Sequence, residues 1–317
     1  MTRYILRRAV LLLVTMVLTS VIIFTLTQLV PGDIARLILG RDASPEALEK
    51  FRQEFGLNDP VPQQYLRWLG GFLTGDWGRS FTGANQPVRP LVLDRLGNSM
   101  RLAVMTLVIS IPLSIGLGVL AALKENTWVD SLISILSLSV VGLPEFVTGL
   151  VLINGVALGV RSLGLPATSA VPGADLADWV RQLILPALTA TFVLLGYVVR
   201  LTRAGVIDEL RKPYVRMATL KGLPRRTVVL KHVLRNALLP TITVIAISFG
   251  WLIGGLVVIE NVYNYPGLGA LLVEAVKQKN LFLLQSITMV TVFFFALANL
   301  IADILYGLLN PRIRLDG

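Results

Sequence analysis

The sequence predicts an all-α integral membrane protein with six transmembrane helices and a helical excursion after the first of them. Of 317 residues, 54 % are hydrophobic and only 15 % charged, and the mean hydropathy is +0.72. A water-soluble globule needs more polar surface than this. Six stretches of 17 or more residues hold at most one ionisable side chain each, and a hydrocarbon core of ~30 Å asks for about 20 apolar residues at a rise of ~1.5 Å. The 29 basic residues outnumber 19 acids, and they fall unevenly between those stretches. The chain has no cysteine and one histidine. Disulfides, thiolate chemistry and histidine metal clusters therefore drop out, and no metal ligand set is expected.

The first stretch, Ala9 to Val30, follows Arg3, Arg7 and Arg8. Its 22 uncharged residues exceed the 7–15 of a signal-peptide core, and no small-residue cleavage site precedes Pro31, so an uncleaved span is expected. The others are Leu102–Leu123, Ser131–Val160, Leu183–Val199, Ala237–Ile259 and Leu281–Ala302. Pro112, Pro144, Pro186 and Pro240 lie within or beside them. Membrane helices tolerate proline where neighbouring groups satisfy the freed carbonyls.

Lysine and arginine set the orientation. Segments 1–8, 124–130, 200–236 and 303–317 hold 16 of the 29 basic residues, against 2 each in 161–182 and 260–280. Both termini are therefore expected on the cytoplasmic side. With the six acids of those inner segments subtracted, the whole net charge of +10 falls on that face. Nucleic acid is not needed to explain it.

Between the first two spans, residues 31–97 form a polar excursion in which Ser44 can cap a helix begun by Pro45. An ordered external cap is expected there. The units that follow are 1–30 (tail and first span), 31–97 (external helical segment), 98–310 (five-helix core with the cytoplasmic loop 200–236) and a cytoplasmic tail, 311–317. Within the loop, Lys212 to Lys221 suits a short helix stopped by Gly222 and Pro224. Ten basic residues in this loop have two readings: they hold it inside against lipid phosphates, or they flank a docking lever whose apolar set is Tyr214, Val215, Met217, Ala218 and Leu220. Gly222 would supply a conformation or close approach that a side chain forbids.

No G-x-x-x-x-G-K-[ST] phosphate loop, G-x-S-x-G elbow or helix-borne histidine pair occurs. Catalysis is not expected, which leaves a translocation pathway, a channel or a scaffold. Glu145, beside Pro144 in the third span, is the one acid deep in an apolar run. It marks either a pathway contact for a cationic part of the cargo or a structural acid with a partner. Gly250, Gly254 and Gly255 give the fifth span a small face for helix packing or for contact with a second subunit. Asp303 reads as structural, within reach of an arginine of the C-terminal tail, and His232 as a satisfied loop residue. Tyr263, Tyr265 and the Pro266-Gly267 turn read as interfacial anchors or as an external gate.

The loop resembles that of the permease subunits of binding-protein-dependent ABC importers, in the dipeptide/oligopeptide/nickel family. The resemblance rests on Tyr214, Val215, Arg216, Ala218, Lys221, Gly222 and Leu223, then His232, Leu234 to Leu239 and Pro240. Met217, Thr219 and Leu220 depart from the family's threonine, arginine and alanine. Further blocks extend it over nearly the whole chain: Arg3 to Arg8, Pro31-Gly32-Asp33, Phe55 to Asn58, Gly75 to Gly78, Glu260 to Tyr263, Pro266 to Gly269 and Asn310 to Ile313.

That resemblance implies a type I ABC importer permease fold in a bacterial or archaeal inner membrane, among lipids. It also implies a second homologous permease, two cytoplasmic ABC ATPases that hold ATP and magnesium, and an external solute-binding protein. No cofactor is implied for this chain. The loop becomes the ATPase contact, and the cargo a short peptide, with nickel or glutathione as alternatives in the same family. The family usually has a small residue where Glu145 stands, so nothing carries over to that position. A transporter or channel that works without ATP is the competing class.

Overall fold

A computed structural model describes residues 2–29, 34–40, 43–54, 56–80, 86–169 and 175–309, and within them the regular structure is helical apart from one isolated antiparallel bridge between Arg79 and Pro87. The tail 311–317 and Pro31 to Asp33 lie outside the described residues. In chain order the helices are α1 (Thr2–Gln28), α2 (Ile34–Leu39), α3 (Pro45–Glu54), α4 (Val61–Thr74), α5 (Val88–Leu123), α6 (Trp128–Val141), α7 (Glu145–Leu152) and α8 (Leu176–Leu210). They continue as α9 (Pro213–Leu220), α10 (Arg225–Thr227), α11 (Leu234–Ala237), α12 (Leu239–Gly255), α13 (Val257–Val262), α14 (Leu268–Lys277) and α15 (Leu281–Leu309). Single π-helical segments, Ile153–Leu158 and Val228–Val233, extend α7 and join α10 to α11.

Four helices are long and apolar enough to cross a membrane, and two bent pairs bring the number to six. The membrane sorts them by burial. In α8 67 % of the apolar window is buried inside the chain, against 17 % in α1, so α8 is the central rod and α1 presents most of its surface to lipid. α5 and α6 pack against α8, and α12 and α1 pack against α15. Leu102, Leu183, Leu185, Leu252, Leu256, Ile259 and Tyr263 fill the centre.

Two expected spans are not straight. The stretch 131–160 is a broken pair, α6 and α7 with its π segment, bent by 107°. The break falls at Pro144, whose ring disfavours helical geometry at Leu143 and which is itself extended, with φ −57 and ψ 139. Pro112 and Pro186, by contrast, sit inside continuous helices. The fifth span is bent by 53° between α11 and α12 and interrupted again at Leu256, which has ψ 0. α5 begins at Val88, so the second helix starts well before Leu102 and the 97/98 division falls inside it.

The excursion is packed. The Ser44 hydroxyl accepts the Ala47 N–H at 3.2 Å, the cap its sequence suggested. Phe24 of α1 meets the edge of Tyr65 at 5.4 Å and lies 5.6 Å from Trp68. Ser20 shares a 2.8 Å hydrogen bond with the Tyr65 hydroxyl. α4 is thereby tied to one end of α1. We call this the excursion end of the bundle and the other, which carries α9, the loop end.

Candidate functional site

At the loop end α9 runs Pro213–Leu220, with proline at the position where a missing N–H costs nothing. Gly222 ends it with φ +76, and a Cβ there would meet nothing within 4 Å. The glycine is required for its left-handed backbone and not for a close approach. Val215 and Ala218, three apart, are buried against Ala122, Val206, Val228 and Val233. Tyr214, Met217, Leu220 and Leu223 are exposed, Leu220 most of all at 73 %. This corrects the expectation of a single outward apolar set: a helix of period 3.6 cannot present all five residues on one face. Two of the five, Val215 and Ala218, anchor α9, and the other three stay open.

Sequence reasoning missed the polar anchor. Glu209, buried at the end of α8, receives hydrogen bonds from the Tyr214 hydroxyl and the Lys212 ammonium. Asn236 of α11 donates to the same carboxylate at 3.3 Å and to the Tyr214 oxygen at 3.0 Å. The carbonyl of His232 lies 3.1 Å from that hydroxyl. Burial, and the hydrogen bond to Glu209 after it, push the Tyr214 phenol above its ordinary pKa, while the hydrogen bond to Glu209 raises that of Lys212. The one local signal for it is the three-residue spacing of Glu209 and Lys212. Deeper in the bundle, Arg203 of α8 grips Asp130 of α6 with two bonds of 2.6 and 2.7 Å. Bidentate pairing fixes direction as well as distance, so α6 is held to the same rod. Arg216 and Lys221 complete the matched loop residues; they are exposed.

The break between α6 and α7 places Pro144 as the residue before α7 and Glu145 as its first residue. Four residues on, Gly149 packs against Val262 and Tyr263. Tyr263 is fully buried; its hydroxyl shares a 2.8 Å bond with Thr189 and lies 3.3 Å from the Gly149 carbonyl. Tyr265 donates to the Asn98 carbonyl at 2.8 Å. Both tyrosines are therefore internal ties, not interfacial anchors.

The excursion end holds a second buried acid. Glu260 is 1 % exposed; its carboxylate accepts from the Ser99 hydroxyl of α5 and, at 2.9 Å, from the Ala270 N–H in the first turn of α14. Ser99 in turn accepts the Leu268 N–H at 2.7 Å. A Cβ on Gly267 would fall 2.1–2.4 Å from the Glu260 carboxyl, so only glycine lets the turn close over it. Burial pushes the Glu260 carboxyl up to about 7 against those hydrogen bonds. The acid knits α5, α13 and α14 into one block.

Gly250 and Gly254 face α15 of the same chain: Cβ positions there would lie 3.4 Å from Ala298 and 3.6 Å from Thr291. Gly255 lies under the Trp251 ring. Gly250 and Gly254 are thus engaged in packing within the chain. Asp303 pairs at 3.1 Å with Arg8 of α1, so its partner comes from the N-terminal helix. Among the described residues no group of three or more acids and histidines could hold a metal ion.

Residues 114–315 match the family described as binding-protein-dependent transport system inner membrane component, and residues 1–103 its N-terminal companion. A protein of Sinorhizobium fredii, named a probable peptide ABC transporter permease, is 36 % identical over 98 % of this chain and 99 % of its own. A Brucella abortus protein bearing the name of a peptide transport system permease is 37 % identical over the full length of both. The glutathione transport system permease protein of Escherichia coli K12 is 35 % identical over 99 % of each chain.

Proposed function

The chain belongs to the family of binding-protein-dependent transport system inner membrane components, and on that premise we propose that it forms half of the pathway by which an ATP-driven importer takes up short peptides. It is a multi-pass permease subunit without catalytic activity of its own, and ATP hydrolysis belongs to separate ATPase subunits. Its partners in this proposal are a second homologous permease, two cytoplasmic ATPases and a binding protein outside. Peptide cargo is favoured because the relatives are named for peptides and for glutathione, itself a tripeptide.

The loop end faces the cytoplasm in this reading, as the basic count of 200–236 requires. The single observation that carries the assignment is that α9 and the turn after it offer Met217, Leu220 and Leu223 to a partner while Glu209, Tyr214 and Asn236 hold the helix rigidly to α8 and α11. An ATPase cleft seated on that exposed face moves α9 when ATP closes the ATPase pair. The motion passes into the α8 rod through Glu209 and on to α6 through Arg203 and Asp130. α6 ends at the Gly142–Pro144 break, where the two limbs of the span can change angle. ATP binding thus selects the state in which the pathway opens to the outside. With the second division moved to the start of α5 at Val88, the pattern reads as anchor, external cap, moving core and tail.

Proteoliposomes test this. Uptake of trialanine is expected only when this chain, the second permease, both ATPases, ATP and the loaded binding protein are all present. Uptake by this chain alone would assign it instead to the channels or ATP-independent transporters.

A further inference from the structure

The coupling scheme leaves one acid unused. Among the described residues Glu145 takes part in no hydrogen bond and no ion pair, whereas Asp130, Glu209, Glu260 and Asp303 each have a named partner. It opens α7 directly after the break. The 14 residues of α6 before it rise ~21 Å, which sets Glu145 below the surface of a hydrocarbon core of ~30 Å. An ionised side chain at that depth does not face lipid; it faces a water-filled route or the bundle interior. Its neighbours Leu143 and Phe146 are open on this chain, while the Gly149 turn of the same short helix is shut against Tyr263. α7 therefore carries its carboxylate at the edge of the packed core, on the limb that the break allows to swing.

We propose that Glu145 is a specificity-determining residue of the pathway, receiving the primary ammonium group of the cargo. This rests on the peptide reading above. Free peptides and glutathione share that ammonium group, and a carboxylate in a partly dehydrated passage pairs with it more strongly than in bulk water. The contact is a waypoint and not a trap: a single carboxylate pairing holds the cargo loosely enough to let it pass.

The test uses the whole complex in proteoliposomes with trialanine and N-acetyl-trialanine as probes. In Glu145→Gln, trialanine uptake should fall roughly tenfold or more, the loss expected of a charge-assisted hydrogen bond. Glu145→Asp should restore most of it, and uptake of the acetylated probe should be the same in wild type and Glu145→Gln. Wild-type uptake of trialanine by Glu145→Gln overturns the proposal. So does equal loss with both probes, or loss accompanied by a failure of the two permeases to co-purify, which would make Glu145 an ion-pair partner of the second subunit. If the wild-type complex carries neither trialanine nor glutathione, the peptide reading falls first and this role with it.

Discussion

Replacing Tyr214 with phenylalanine removes one hydroxyl and leaves the ring in place. That hydroxyl donates to the buried Glu209 carboxylate and accepts from Asn236 at 3.0 Å. A hydrogen bond to a charged group is worth about 1.5–3 kcal/mol. Tyr214 is 39 % exposed, so solvent compensates part of the loss and the low end applies. About 1.5 kcal/mol is roughly tenfold in the equilibrium between anchored and loosened α9. Lys212 and Asn236 still bond Glu209, and Val215 and Ala218 still pack, so the chain should insert and assemble normally. In proteoliposomes the number of peptides taken up per ATP hydrolysed should drop several-fold, with hydrolysis largely kept. Hydrogen exchange at the α9 amides should accelerate by about the same tenfold factor. Unchanged exchange with unchanged coupling would refute the idea that this anchor transmits the ATPase motion.

Further outcomes follow from other sites. At Gly222, asparagine, which tolerates a left-handed backbone, should preserve coupling, whereas valine should uncouple ATP hydrolysis from uptake because of its backbone and not its bulk; equal behaviour of the two variants in the coupling assay would contradict this. Gly267→Ala should lower the apparent melting temperature of the purified protein, since its Cβ would overlap the Glu260 carboxyl and overpacking costs about 1–3 kcal/mol; an unchanged melting curve would show that the turn relaxes freely. Glu260 has its pKa raised to about 7 when folded, so its contribution to stability is full at pH values below its ordinary range near 4.5 and is lost as pH rises through about 7, with a slope of at most about 1.4 kcal/mol per pH unit. Melting curves between pH 5 and 8 should therefore fall more steeply for wild type than for Glu260→Gln, and parallel curves would count against a buried, titrating carboxyl.

The parts of this architecture set by bulk properties were legible in the residues alone. Apolar length marks the spans, and the Pro213 to Gly222 punctuation marks α9, because each depends on the local chain only. What escaped depends on contacts between distant segments. Pro144 reads like Pro112 and Pro186, yet Pro144 stands in a helix break while the other two sit inside continuous helices, a difference the proline alone does not carry. Glu209 and Asn236, 27 residues apart, meet only because α8 and α11 run side by side. Glu260 stands at the end of an apolar run, and the Pro266-Gly267 turn that folds back over it is the one local hint that it is enclosed. The inward turn of Val215 and Ala218, three apart, follows from the helical period.

Because the natural chain contains no cysteine, a single introduced thiol reports on one place without background. Leu220→Cys, at the most exposed position of α9, tests the central claim in intact cells. The account expects it to be shielded from a membrane-impermeant maleimide added outside, and to cross-link to an ATPase subunit with a yield that changes when ATP is bound. Labelling from outside, or a thiol that never cross-links to an ATPase, would contradict it.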